Sequence, residues 1–314
     1  MSAVVVFIIF AICLIIAIPI SISLGIVAVL PGAFDASFTA SAGYVIRSMV
    51  GGIDSFPLLA VPMFVLAGIL MAHGKISEKL FDVFVYFLGN KRAGIPCAVI
   101  ITCLFYGAIS GSAPATVAAV GSMTIPLLIE LGYEKDFSTA IVAVAGGLGV
   151  IIPPSIPFIM YAMATGESVS DLFLAGIVPG MMISALLIFY AYYYCRRHGE
   201  DREKIQAKMD QLKTKGFVNI LKESIWALLS PVIVLGCIYS GVASPTEAAV
   251  ISVFYSLFVS LFIYKSIKVK QIWGIMVEAM KTYAPILFIL ATSTAFSRVL
   301  TLMQVPQDVS AWIM

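Results

Sequence analysis

The chain reads as solid apolar blocks separated by short polar punctuation. Each block runs about 15–25 residues, the length that crosses about 30 Å of hydrocarbon. Backbone polar groups at that depth must be satisfied within the segment, so the blocks predict helices. A membrane β-barrel would alternate apolar and polar positions instead. Crossings are predicted near residues 3–18, 20–34, 57–72, 94–104, 137–164 (broken in the middle), 171–194, 226–241, 248–264 and 284–302. Two segments break the pattern. Residues 36–56 mix Arg47, Asp54 and a pair of glycines with apolar positions, and residues 74–89 carry charge on one side and aromatics on the other. Both read as interfacial arms. The fold class expected is all-α and polytopic.

Composition strengthens this reading. Hydrophobic residues make up 61% of the 314 positions and charged residues 11%, well under the roughly 25% charge of a soluble domain. The N-terminal block lacks a basic leader and a small-residue cleavage site, so it reads as the first span rather than a signal peptide. Net charge is +2, which gives no support to nucleic-acid binding. The cysteines (Cys13, Cys97, Cys103, Cys195 and Cys237) are scattered through apolar blocks without a C-x-x-C. They read as small buried residues, not as a metal or disulfide framework.

Charge sets an orientation. Sixteen of the 19 Lys and Arg fall in segments 73–94, 195–223 and 265–270 and at Lys135. One topology puts all of these in the cytoplasm and places the N-terminus and the acidic loop at 165–171 outside. Segment 195–225, rich in both bases and acids, then becomes a cytoplasmic connector between two halves.

The halves resemble each other. Pro19 and Pro57 of the first recur as Pro245 and Pro285 of the second, 226 and 228 residues on. The charge-derived topology inverts the two copies, a common plan in secondary transporters. Residues 1–194 form the first repeat, with its arms, a re-entrant hairpin at about 105–128 and a broken helix at about 137–164. Residues 226–314 form an incomplete second repeat. Completing it would take about one hundred residues beyond Met314, so the chain is expected to lack a C-terminal part.

Candidate chemistry lies in two breaks. No ionisable acid, base or His occurs between Arg92 and Glu130, yet Gly107–Ser122 is rich in Gly, Ser, Ala and Thr and is interrupted by Pro114. Two half-helices meeting at a tip explain this. Gly and Pro free backbone carbonyls, and Ser hydroxyls add oxygens that suit a hard cation such as Na⁺. Half-helix N-termini favour a substrate carboxylate. Close packing of small residues is the alternative for each glycine. The second break is Ala145–Pro157, where Gly149, Ile152 and Pro154 can turn carbonyls toward the tip. Glu247 reads as a helix cap behind Ser244-Pro245-Thr246 rather than as an intramembrane acid. The polar stripe at 291–297 reads either as a second ion site or as packing. His73 and His198 read as solvated loop residues. No phosphate loop is present, which excludes a visible ATP seat.

The stretches GAISGSAPATVAAVGSMTIPLLIELGY, AGGLGVIIPPSIPFIMYA and GVASPTEAAV resemble the large membrane subunit of TRAP (tripartite ATP-independent periplasmic) transporters of the DctM type. The resemblance extends over essentially the whole chain. It implies an inverted-repeat, elevator-type carrier of the bacterial inner membrane, driven by Na⁺ and not an enzyme. Its partners would be a small four-helix membrane subunit and a soluble periplasmic binding protein that delivers an organic acid, of C4-dicarboxylate or sialic acid type. By resemblance, Ser110 and Ser112 with backbone oxygens near Gly149, Ile152 and Pro154 would hold Na⁺. Ser112, Ala113, Pro114 and Thr116 would meet the substrate. The alternatives are a stand-alone anion symporter of the wider ion-transporter superfamily, a polytopic membrane enzyme and a purely structural subunit.

Overall fold

The computed structural model describes residues 3–35, 38–214 and 216–313. Residues 36 and 37 of the first arm, Lys215 of the connector and Met314 lie outside the described residues. Among the described residues every regular element is helical, in agreement with the pattern of apolar blocks. Five helices are long and apolar enough to cross a membrane: α7 (Ala113–Glu130), α10 (Val169–His198), α12 (Phe217–Tyr239), α13 (Pro245–Phe258, continued by a π-helical turn to Ile263) and α14 (Val269–Leu302). Shorter apolar helices include α1 (Ala3–Ile15), α2 (Ile20–Phe34), α6 (Gly94–Ser110) and α9 (Ile156–Thr165).

The chain divides into two compact units. The first comprises residues 1–58 and 280–314, the second residues 59–279. In the first unit, α1, α2 and α3 (Ala42–Ile53) join the C-terminal part of α14 and α15 (Val305–Ile313). Its core includes Ala28, Ala40, Val45, Ala295 and Val299. Phe296 stacks against Phe10 and meets Phe7 edge-on. Gly52 of α3 lies so close to Thr294 that a Cβ there would sit 2.7 Å from the threonine Cβ. The hydroxyls of Thr292 and Thr294 donate to carbonyls one turn back in their own helix. Thr294 of the 291–297 stripe thus packs on α3.

The second unit carries both breaks. Here α4 (Ala60–His73) is almost wholly buried and packs along α13. Small residues permit this approach: Gly74 closes on Ser260, whose hydroxyl is buried. The arm at 74–89 forms α5 (Ile76–Leu88), with Ile76, Leu80, Phe81, Val83 and Val85 buried against the core. The connector is more than a solvated link. It contains α11 (Arg202–Thr214), whose Ile205, Met209 and Leu212 are buried on a face packed against α5.

Two local expectations are revised. The crossing at 94–104 and the hairpin at 105–128 are one object, because α6 runs unbroken from Gly94 to Ser110 and α7 returns from Ala113. No charged residue or proline interrupts α6 after Pro96, and Pro96 sits in its first turn, where a missing N–H costs nothing. His73 and His198 are the last residues of α4 and α10 rather than loop residues. His73 Nε2 lies 2.9 Å from Glu278 Oε2, and His198 stacks on Tyr194. At the start of α13, Ser244 and Glu247 form the expected reciprocal cap.

Candidate functional site

The hairpin turns in two residues. Gly111 ends α6 at φ 63°, a left-handed conformation that glycine adopts without strain. Ser112 then caps α7, its hydroxyl accepting from the Ala115 N–H at 3.5 Å. Pro114 follows in the first helical turn, where no intrahelical donor is needed.

The second break has the same grammar. Helix α8 (Lys135–Gly146) passes into a 3₁₀ turn at Gly147–Val150 and an irregular stretch, and the chain restarts as α9. Ser155 caps α9 by accepting from Phe158 N–H, and it donates to the Val150 carbonyl at 2.6 Å. Pro157 then stands in the first turn. Sequence reasoning does not single out Ser155. The signal is nonetheless there in Ser155-Ile156-Pro157, which repeats the Ser112-Ala113-Pro114 pattern.

The two breaks meet. Ile156 N–H donates to the Gly111 carbonyl at 3.2 Å, so α9 begins against the residue that ends α6. A Cβ on Gly107 would lie 2.6 Å from Gly149 Cα, and one on Gly111 would lie 2.9 Å from the Pro154 carbonyl oxygen. Gly149 itself rests on the Thr116 hydroxyl and the Ser112 carbonyl. Glycine is needed at 107 and 149 because two backbones touch there.

Oxygens cluster at this junction. Ser110 Oγ is 3.1 Å from Thr116 Oγ1 and 3.4 Å from the Ser112 carbonyl, and Thr116 Oγ1 donates to that same carbonyl at 2.9 Å. Ser110 and Thr116 are buried; Ser112 and Ala113 are half-buried and Pro114 is exposed. Thr116 thus belongs with the buried oxygens, whereas Ser112–Pro114 form the accessible lip. Gly149 and Pro154 lie against the tip, as expected from the sequence. The side chain of Ile152 fills the space over Gly180, and its N–H is bonded to the Leu148 carbonyl. The donor set is hydroxyl and carbonyl oxygen, which suits a small hard cation better than a transition metal. Among the described residues no three His, Cys, Asp or Glu gather as a metal cluster.

The far ends of α6 and α7 are fixed as firmly as the tip. Glu200, just beyond α10, has a side chain only 2% exposed. Its Oε1 accepts from Ala93 N–H at 3.0 Å and from the Tyr133 hydroxyl at 2.7 Å. Its Oε2 pairs with Arg202 at 3.0 Å. Burial and then this bond to Glu200 push the Tyr133 hydroxyl well above its ordinary pKa, so it remains a neutral donor.

Two capped half-helices that meet at a knot of oxygens inside a helical, multi-pass protein are an arrangement that many membrane carriers share. The family profile described as Tripartite ATP-independent periplasmic transporter, DctM component, matches residues 7–314, and the chain belongs to that family. It is a protein of the bacterial inner membrane. The chain is 40% identical over 301 residues to the isethionate TRAP transporter permease protein DctMQ of Oleidesulfovibrio alaskensis, covering 96% of this chain and 46% of that protein. It is 38% identical over 260 residues to the C4-dicarboxylate TRAP transporter large permease protein DctM of Pseudomonas aeruginosa, covering 83% and 60%. With the DctM of Rhodobacter capsulatus, identity is 32% over 327 residues, covering 100% and 72%. The chain therefore spans about half to three-fifths of the length of the first two relatives.

Proposed function

We propose that this chain is part of the large transmembrane subunit of a TRAP carrier that takes up an organic acid by Na⁺ symport. The observation that carries this reading is the junction of Ser110, Ser112 and Thr116 with Gly149, where three oxygens lie within 3.4 Å of one another beside two helix N-termini. Na⁺ is cargo here. It would replace the hydrogen bonds among Ser110 Oγ, Thr116 Oγ1 and the Ser112 carbonyl, with further carbonyls from the segment holding Gly149, Ile152 and Pro154. The positive ends of α7 and α9 would then face the carboxylate of the substrate at Ser112, Ala113 and Pro114.

Family membership supports the rest of the proposal. A soluble periplasmic protein would deliver the acid, and a small four-helix membrane subunit would brace the carrier. The hairpin-bearing helices would move as an elevator. Two relatives are named for isethionate and for a C4-dicarboxylate, both small acids, which supports a small organic acid; the types proposed are a C4-dicarboxylate and, without support from these names, a sialic acid. The match to the DctM family favours this tripartite arrangement over a stand-alone anion symporter.

Uptake of labelled acid into proteoliposomes, with the binding protein and small subunit supplied, tests the proposal. Uptake is expected only with an inward Na⁺ gradient. Equal uptake after Na⁺ is replaced by K⁺ would overturn the coupling, and uptake without binding protein would overturn the tripartite assignment.

A further inference from the structure

A groove of about 520 Å³ lies between the N-terminal part of α6 and the C-terminal part of α10. Its walls are apolar, with Ile101 on one side and Ile188 and Phe189 on the other. Lys91, Arg92 and Tyr192 also line it. Phe189 and Tyr192 are 69% and 44% exposed on α10, a helix long and apolar enough to cross a membrane.

The two cations are carried on a built loop. Lys91 N–H bonds to the Leu88 carbonyl at 2.8 Å, and Gly94 N–H to the Lys91 carbonyl at 3.0 Å. Arg202 donates to the Asn90 carbonyl, and Glu200 accepts from Ala93 N–H. The backbone on both sides of Lys91 and Arg92 is thus pinned while their side chains are exposed. Neither forms an ion pair among the described residues. The acid in this corner, Glu200, is buried and already paired with Arg202, so it does not neutralise them.

An apolar slot against a membrane-crossing helix, lined also by a phenol and by two cations without an ion pair among the described residues, matches an amphiphile with an anionic head. We infer that this groove is a binding site for an acidic phospholipid, its phosphate held by Lys91 and Arg92 and its acyl chains laid along Ile101, Ile188 and Phe189. The charge distribution that orients the chain puts this loop at the cytoplasmic leaflet. The lipid site is independent of the transport reading, because it uses neither the hairpin tip nor Na⁺.

Native mass spectrometry of the full-length protein, delipidated in detergent and titrated with phosphatidylglycerol or with phosphatidylcholine of the same acyl chains, tests it. One retained phosphatidylglycerol is expected, preferred over phosphatidylcholine by about tenfold or more from two basic contacts. Lys91→Gln with Arg92→Gln should abolish the preference. The charge-preserving exchange Lys91→Arg with Arg92→Lys should keep it, which separates loss of charge from loss of fold. Ala185→Trp, which fills the groove, should weaken retention of either lipid. Equal retention of the two lipids, an unaltered preference in the double Gln variant, or displacement of the lipid by millimolar inorganic phosphate alone would each overturn the assignment. The last result would mark a site for free phosphate.

Discussion

Gly107 and Gly149 touch backbone to backbone, although they come from two different interruptions of the apolar pattern. A methyl group added at 107 would sit 2.6 Å from Gly149 Cα and 3.0 Å from its nitrogen. Neither backbone can yield without moving its helix. Gly107→Ala is expected to lower stability by about 1–3 kcal/mol through overpacking. Gly147, where an added methyl group would meet nothing within 4 Å, is the control, and Gly147→Ala should leave the transition unchanged. Thermal unfolding of the purified protein in detergent distinguishes the two.

Thr116→Val keeps the shape of the side chain and removes the hydroxyl shared by Ser110 and the Ser112 carbonyl. Loss of one oxygen from a cation shell is expected to weaken Na⁺ by about tenfold or more. Ser110→Ala should act in the same direction. The measurement is the Na⁺ concentration that half-maximally stabilises the protein against heat, which does not depend on transport. An unchanged half-maximal concentration in both variants would remove Ser110 and Thr116 from the ion site.

Glu200→Ala should cost about 3 kcal/mol, because it leaves Ala93 N–H, the Tyr133 hydroxyl and Arg202 without their shared acceptor. Tyr133→Phe, which removes a single donor, should cost about 1 kcal/mol. Chemical denaturation monitored by tryptophan fluorescence gives both values.

Tyr133 also makes stability depend on alkaline pH. Its folded pKa is raised above the ordinary tyrosine value of 10.0 by burial and by the bond to Glu200. Above that ordinary value the unfolded chain loses a proton that the folded chain keeps, so unfolding is favoured as pH rises. The contribution of Tyr133 is therefore constant below about pH 10 and declines above it. Tyr133→Phe should flatten that alkaline limb in a pH series of melting temperatures.

In the first unit, Gly52→Val should disturb the approach of α3 to Thr294, where even a Cβ would lie 2.7–2.9 Å from three side-chain atoms. A cost of about 1–3 kcal/mol is expected. Thr294→Ala in the same chain should recover part of it. A double-mutant cycle on thermal stability reads the coupling.

Apolar block length makes the helices legible, and the cluster of Gly, Ser and Pro makes the two breaks legible, because each depends on local composition. That the second break faces the hairpin tip is legible too, but the closeness of the contact is not. Gly107 and Gly149 look like any helix-packing glycines until their backbones are seen in contact. Ser155 is hidden inside a proline-rich stretch because its role as a cap depends on where α9 restarts. The helix in the connector is masked by charge: Ile205, Met209 and Leu212 are three apolar residues among many polar ones, and only their common burial on α5 reveals a face. The Glu200 knot joins three segments distant in sequence, and no spacing announces it.

That knot has a mechanical meaning. Ala93 opens α6 and Tyr133 follows α7, and one carboxylate oxygen holds both. The hairpin is thus a staple with its legs tied together. Spreading the legs at that end would have to break both hydrogen bonds to Glu200. Any local yielding is then left to the other end, where Gly111 and Ser112 make the turn.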